Sequence, residues 1–98
     1  MVKHIVVWRL KGEGLEKARA AQRAKTLLEG LAGKIPGLIR IEVGVNFLDD
    51  ANAADLVLYS EFSGRVALAQ YQIHPEHVAV AAQVRELAAE RRVVDYDC

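Results

Sequence analysis

Residues 38–62 read LIRIEVGVNFLDDANAADLVLYSEF and contain two strand patterns separated by a run of turn-forming residues. Apolar and polar side chains alternate over 38–47, which is typical of a β-strand whose two faces differ. The run 49–55 favours a loop, and alternation resumes over 55–62. The second strand places four side chains on one side: Leu56, Leu58, Ser60 and Phe62. We therefore predict that the two strands pair antiparallel across the loop.

A strand and a helix precede this pair. Residues 2–10 (VKHIVVWRL) are rich in β-branched side chains on both parities, so we predict a first strand that is apolar on much of both faces, with His4 and Trp8 on the same side. After the loop KGEG, residues 15–33 carry apolar side chains at helical spacing and predict an amphipathic helix that ends at Gly33. We interpret its basic residues as a solvated face and not as a phosphate site.

Two helices and a strand follow the pair. Ser63 is the expected N-cap of a short helix from about Arg65 to Ile73. Proline disfavours helical backbone in the residue before it, so His74 should end this helix and the next should run from Pro75 to about Arg91. Residues 92–97 then predict a last short strand.

The element order is strand, helix, strand, strand, helices, strand. This is the split βαβ order of ferredoxin-like α+β folds, with one four-stranded antiparallel sheet in a single domain over residues 1–98. Helices should cover one sheet face and leave the other uncovered, so we predict a homodimer formed through that face. The apolar residues that we expect to lack intrachain cover are Ile5, Val7, Val43, Val45, Val57 and Tyr59.

Composition narrows the range of partners. Thirteen basic residues balance thirteen acidic ones, so no overall field favours nucleic acid or an anionic membrane, and we expect neither as a partner. The only cysteine, Cys98, excludes a disulfide within the chain, and we expect a reducing, cytoplasmic setting. Residues 1–10 are interrupted by charged side chains, so we expect neither the apolar core of a signal peptide nor a membrane span there.

The block YQIHPEH, residues 71–77, holds two of the three histidines and one of the three tyrosines. Helical spacing puts His77 on the same stripe as Val84 and Ala88, which fits either a hydrogen-bonded core histidine or a general base aimed into a cavity. We interpret His74 as structural, because it precedes proline and can satisfy backbone groups at the bend. The histidine spacing is i, i+3 across a helix start, unlike the i, i+4 pair of zinc helices, so we expect no metal and no other cofactor.

Five stretches together resemble the stress-responsive dimeric α/β barrel (Dabb) family. They are the opening MVKHIVVWRLK, the turn IPG, the strand end SEF, the block YQIHPEH and the closing VVDYD. The resemblance implies a homodimer whose two sheets form a barrel with the helices outside. Most members have no assigned function, and the best-understood enzyme of the family is olivetolic acid cyclase, a plant polyketide cyclase. In that enzyme the tyrosine and the last histidine of a YxxHPxH block are the acid-base residues, so the resemblance implies these roles for Tyr71 and His77. A histidine on the first strand of the enzyme matches His4.

The resemblance also implies an internal pocket. Bulky aromatic residues line the pocket of the plant enzyme, whereas the matching positions here are small or aliphatic, so the cannabinoid-type substrate is not expected to be shared. The residues that we expect to line the pocket are Trp8, Ala24, Leu28, Leu58 and Ala88.

These observations favour a protein that binds a small apolar carbonyl compound beside His77. Our hypothesis for catalysis is metal-free acid-base chemistry of the cyclase or isomerase type, in which His77 is the base, Tyr71 orients the carbonyl oxygen and His4 assists. Two alternatives stay open: a non-catalytic structural stress protein, and a monooxygenase of similar dimeric barrel shape. The sequence therefore leaves open whether the chain is an enzyme.

Overall fold

The computed structural model describes residues 1–98 and contains four strands and three helices. In chain order they are β1 (Val2–Leu10), α1 (Gly14–Glu29), β2 (Leu38–Val45), β3 (Leu56–Phe62), α2 (Arg65–Ile73), α3 (Pro75–Leu87) and β4 (Ala88–Asp97). The sheet order is β2-β3-β1-β4 with antiparallel neighbours throughout. The predicted ferredoxin-like fold is therefore confirmed. None of the helices has the length and apolar character needed to cross a membrane.

Strand β1 carries the centre of the core. Its even-numbered side chains are all buried, because they point toward the helices, whereas most odd-numbered ones are only half-buried. Val6, Trp8 and Leu10 pack with Ala24 and Leu28 of α1, and Val2 joins a second cluster around Phe62 and Tyr71. The core therefore lies between the helices and one face of the sheet.

Helix α1 ends four residues earlier than the sequence predicts. The regular helix stops at Glu29, and the segment up to Lys34 continues as tight turns in which backbone N–H groups bond to carbonyls three residues back. Gly33 still marks the end of the turn region, with φ +76°. The turn keeps Leu31 buried in the second cluster although it lies outside the helix.

The bounds of α2 match the prediction, but Ser63 is not its N-cap. Gly64 occupies the cap position, and no side chain bonds to the free N–H groups of the first turn. The backbone N–H of Ser63 instead donates to the carbonyl of Gly37. Gly37 has φ +81°, and a Cβ atom there would lie 2.5 Å from the Cβ of Ala67. The turn before β2 thus packs directly on α2 and needs glycine at this position.

The boundary between α3 and β4 differs from the prediction. Helix α3 ends at Leu87 and not near Arg91, and β4 begins at Ala88. Strand β1 is nine residues long and pairs with β4 along its whole length, from Val2 opposite Asp97 to Leu10 opposite Ala88. Pairing with a neighbouring strand therefore overrides the helical preference of the segment 88–91.

The uncovered face of the sheet was predicted correctly for β1 and β3 and wrongly for β2. Ile5, Val7, Val57 and Tyr59 all lie half-buried on the side away from the helices. Val43 is opposite Leu58 and is buried under α1, and Val45 is opposite Leu56 on the same side. On the uncovered face β2 presents the charged side chains of Arg40 and Glu42, together with Gly44, which has no side chain.

Strand β2 is at one edge of the sheet, and α1 satisfies part of its outer backbone. The ammonium of Lys25 donates to the carbonyl oxygen of Val43 at 2.6 Å, and the N–H of Val43 donates to the carboxylate of Glu29 at 3.0 Å. Lys25 and Glu29 also pair with each other at 2.9 Å. The backbone bond is the main reason why the pKa of Glu29 is lowered, and the bond from Lys25 adds to it. Because helix and edge strand are joined in this way, β2 keeps its apolar side beneath α1.

Candidate functional site

A cavity of about 660 Å³ lies between the covered face of the sheet and the helices. All three helices and strands β1, β3 and β4 contribute to it. The residues that form its floor and apolar walls are Val6, Trp8, Leu28, Leu58, Val84 and Val93. Its polar wall contains His4, Tyr71, His77 and Asp95. The cavity therefore combines an apolar body with a small group of ionisable side chains, which is the usual composition of a small-molecule site.

Tyr71 is the fixed centre of the polar wall. It lies in the last turns of α2 and is fully buried, with its ring 4.8 Å from that of Phe62. Its hydroxyl is enclosed and has no hydrogen-bond partner in the protein. Burial raises the pKa of Tyr71 to about 12, so the phenol keeps its proton at neutral pH. A buried hydroxyl without a partner is rare, and here it belongs to a residue on the wall of a cavity.

His77 lies in the first turn of α3, where the proline bend places it over Tyr71. The two ring centroids are 3.9 Å apart with the planes inclined at 33°. The Nδ1 atom is 3.4 Å from the carbonyl oxygen of Gln72, and because a carbonyl can only accept, Nδ1 carries the hydrogen. In the neutral ring the lone pair is then on Nε2. Desolvation is the main cause that lowers the pKa of His77, which keeps the imidazole neutral at pH 7.

His4 is buried on β1 and bonds through Nδ1 to the carboxylate of Asp95 on β4. Its ring meets that of Tyr71 edge-on, with the centroids 6.0 Å apart. The Ser60 hydroxyl donates to the carbonyl of His4 at 2.9 Å and so fixes the backbone below the ring. Because the carboxylate accepts from Nδ1, it sets the orientation and tautomer of this histidine.

Asp95 is one of the polar lining residues that sequence reasoning missed, together with Gln72, Arg85, Glu90 and Arg91. Asp95 lies in the segment 92–97, which the sequence predicts as a strand without any role for this side chain. The sequence signal that could have found it is the spacing of two residues, which puts Asp95 and Val93 on the same side of β4. That spacing becomes informative only once β4 is known to pair with β1 so that Asp95 lies opposite His4.

Four of the five residues expected in the pocket line the cavity. Trp8, Leu28 and Leu58 line the cavity, and so does Ala88, although it does so from the start of β4 and not from a helix. Ala24 is fully buried in the core and does not line the cavity.

His74 has the structural role that the sequence indicates. It is the N-cap of α3, and its Nδ1 accepts the backbone N–H of Glu76 at 3.1 Å. It does not line the cavity. The two histidines of the HPEH block, three positions apart, therefore have separate surroundings: His74 holds the helix start and His77 contacts the ring of Tyr71.

The fold and the cavity together define a ferredoxin-like α+β protein with an internal pocket under its helices. The chain belongs to the stress-responsive A/B barrel domain (Dabb) family, whose model matches residues 2–98. No curated protein sequence matches the chain.

Solved structures share the fold over nearly the whole chain. A dimeric protein of unknown function from Bacteroides fragilis is 35% identical, with TM-score 0.86, and the match covers 99% of this chain and 95% of that one. A hydroxynitrile lyase from Passiflora edulis is 17% identical, with TM-score 0.76 and coverage of 97% and 90%. A putative antibiotic biosynthesis monooxygenase from Nitrosomonas europaea is 23% identical, with TM-score 0.75 and coverage of 100% and 98%. The last two likenesses concern the fold alone.

Proposed function

We propose that this protein binds a small apolar carbonyl compound in the cavity and catalyses acid-base chemistry on it, of the cyclase or isomerase type. The proposal assigns three roles: His77 is the base, Tyr71 binds the carbonyl oxygen, and His4 assists. The likeness of the YxxHPxH block to the plant polyketide cyclase is part of the proposal, without the substrate of that enzyme.

The observation that carries the proposal is the unpaired hydroxyl of Tyr71. A buried hydroxyl without a partner destabilises the folded protein by about 1 to 3 kcal/mol. A carbonyl oxygen of a bound ligand supplies the missing acceptor. Because the pKa of Tyr71 is about 12, the phenol is protonated and acts as donor at neutral pH.

His77 supplies the complementary group. Its lowered pKa favours the neutral ring, and Nε2 can accept a proton from the carbon next to the bound carbonyl. The electron pair of that C–H bond then moves toward the carbonyl oxygen, where the Tyr71 hydroxyl stabilises the negative charge that develops. The resulting enolate carbon can be reprotonated at another position, or it can attack a second carbonyl group of the same molecule.

His4 assists from β1, with its ring centroid 6.0 Å from that of Tyr71. Its orientation is fixed by Asp95, and its ring and the phenol ring meet in a T-shaped arrangement. A histidine held by a carboxylate keeps one ring nitrogen available for the ligand or for the oxygen that becomes charged. The proposal therefore includes Asp95 as the residue that positions His4.

The proposal also includes the homodimer formed through the uncovered sheet face. Apolar side chains of β1 and β3 lie there without helix cover, and the Bacteroides protein of the same fold is dimeric. In the dimer the two cavities would lie on the outer sides of the paired sheets, beneath the helices. A reducing, cytoplasmic setting stays part of the proposal because the single cysteine, Cys98, leaves no internal disulfide.

The test is hydrogen-deuterium exchange at carbons next to a carbonyl. A panel of small aryl ketones and diketones is incubated with the protein in D2O, and loss of the proton signal is followed by NMR. We expect exchange above the buffer rate with the wild type and its loss with His77→Gln or Tyr71→Phe. As the pH is lowered, the exchange rate should decrease with a midpoint below the ordinary histidine pKa of about 6.5, because the pKa of His77 is lowered.

The matched control is His74→Asn. It removes the neighbouring histidine of the same block but keeps an N-cap side chain, so exchange should be unaffected. If no member of the panel exchanges or binds, or if His77→Gln retains the full rate, the catalytic assignment is wrong.

The structural alternative predicts a different outcome. Under it, His77→Ala reduces the free energy of unfolding by about 1 to 3 kcal/mol and changes no ligand property. The monooxygenase alternative predicts oxygen consumption with a quinol-like substrate, which an oxygen electrode detects when a quinol is added in place of the ketones.

A further inference from the structure

Four charged side chains line the cavity, and only the two acids are paired. Asp95 bonds to His4, and Glu90 pairs with Arg92 at 2.7 Å. Arg85 and Arg91 also line the cavity, and neither guanidinium forms an ion pair or a side-chain hydrogen bond within the protein. The wall therefore has two positive groups without an internal counter-charge, although the whole chain is neutral.

Arg91 is placed by the register of β4. It lies directly opposite Trp8, and residues 91, 93 and 95 alternate onto the covered side of the sheet. Its side chain is exposed whereas Trp8 and Tyr71 are buried, so the guanidinium is at the mouth and the aromatic rings are at the floor. Its charge lowers the pKa of both Tyr71 and His77, so its field reaches the polar wall.

We propose that the ligand of this cavity is a carbonyl compound that carries a carboxylate, and that Arg91 binds this carboxylate at the mouth. The inference rests on the proposed function, which it makes specific: an oxo acid with an apolar body. The apolar part lies against Trp8 and Val84, the carbonyl oxygen reaches Tyr71, and the acid group stays near solvent. Arg85 is the second cation of the same wall.

The chemistry of the guanidinium supports this assignment. Its planar set of N–H donors matches the two oxygens of a carboxylate, and charge-assisted bonds of this kind are stronger than neutral ones. An acid of the protein is not available to it, since both acids of the lining have other partners. A ligand carboxylate at the mouth keeps its contact with water on one side, so that binding avoids full desolvation of the charge.

The test compares two ligands with the same carbon frame, β-benzoylpropionate and its methyl ester. Both contain an aryl ketone, but only the first has a negative charge. Binding to the full-length protein is measured by calorimetry at low and at high salt. We expect the wild type to bind the acid about tenfold more tightly than the ester, with the difference decreasing as salt is added.

Arg91→Gln should weaken acid binding about tenfold and leave ester binding unchanged. Arg85→Gln should act in the same direction to a smaller extent. The matched control is Arg19→Gln, which removes an exposed and unpaired arginine of α1 and makes the same change of net charge away from the cavity. It should leave both affinities unchanged.

Two different failures can be told apart. If acid and ester bind equally well, or if Arg19→Gln weakens acid binding as much as Arg91→Gln, the inference is overturned while the proposed function stands. If neither ligand binds and Tyr71→Phe makes no difference to any member of the ketone panel, the proposed function fails and this inference fails with it.

Discussion

The two faces of the sheet are built from the same strands but differ in what completes them. On the covered face, the helices enclose the apolar side chains and leave a cavity with a polar wall. On the uncovered face, Ile5, Val7 and Val57 lie beside a charged group in which the Tyr59 hydroxyl donates to Glu61 at 2.6 Å and Arg40 lies 5.7 Å from the Tyr59 ring. The comparison shows that alternation along one strand can give two faces of different character, and we propose that one binds the ligand and the other associates with a second copy of the chain.

The largest effect is expected from a charge placed on the uncovered face. Val57→Asp puts a carboxylate in an apolar patch that we propose to be a dimer interface, and an unpaired buried charge is destabilising by several kcal/mol. We expect the wild type to be a dimer by light scattering at micromolar concentration and the variant to dissociate or unfold. The control is Val66→Asp, because Val66 is 72% exposed on α2. A monomeric wild type would contradict the proposed interface.

A smaller effect is expected on the covered face at alkaline pH. The pKa of Tyr71 is about 12 in the folded protein and about 10 when unfolded. Between these values the folded state holds the proton and the unfolded state releases it, so stability falls as pH rises through this range, by about 2 to 3 kcal/mol in total. Tyr71→Phe should lack this loss. Its free energy of unfolding near pH 7 should exceed that of the wild type by about 1 to 3 kcal/mol, since the buried hydroxyl has no partner.

The measurement is the urea midpoint of both proteins from neutral to strongly alkaline pH. Other tyrosines and lysines titrate in the same range, and the difference between the two curves removes their contribution. If the urea midpoints of the two proteins changed with pH in parallel, the Tyr71 hydroxyl would be open to solvent and not enclosed.

The smallest effect concerns the bend between the two helices. His74→Ala removes the acceptor of the Glu76 N–H and should decrease the free energy of unfolding by about 1 kcal/mol, whereas His74→Asn should retain most of it. Thermal unfolding of the two variants separates these outcomes. Equal losses would mean that the ring of His74 acts by packing and not as a cap.

The sequence predicts the fold well where the pattern is local. The β-branched residues of 2–10 predict strand β1, and the end of α2 follows from Pro75, although its cap is Gly64 and not the predicted Ser63. The start of β4 could not be predicted in the same way, because the segment 88–91 favours helix and becomes strand only by pairing with β1.

In the site, too, local features can be predicted from the sequence and those that depend on strand pairing cannot. Tyr71 and His77 come from one short block, and their contact across the proline bend follows from that block. The pairing of His4 with Asp95 joins residues 91 positions apart and depends on the register of two strands. The side of Val43 was misjudged for a similar reason, since α1 and not the strand pattern decides which face of β2 is covered.

The contacts of Lys25 and Glu29 with Val43 also bear on aggregation. An edge strand normally offers unpaired N–H and C=O groups to any other extended chain, which is how sheets grow into fibrils. Here both backbone groups of Val43 are already occupied by side chains of α1. A second strand could add at this edge only after displacing both side chains. Since the pKa of Glu29 is lowered, its carboxylate stays charged in mild acid, so this protection of the edge extends to conditions in which an ordinary glutamate would begin to protonate.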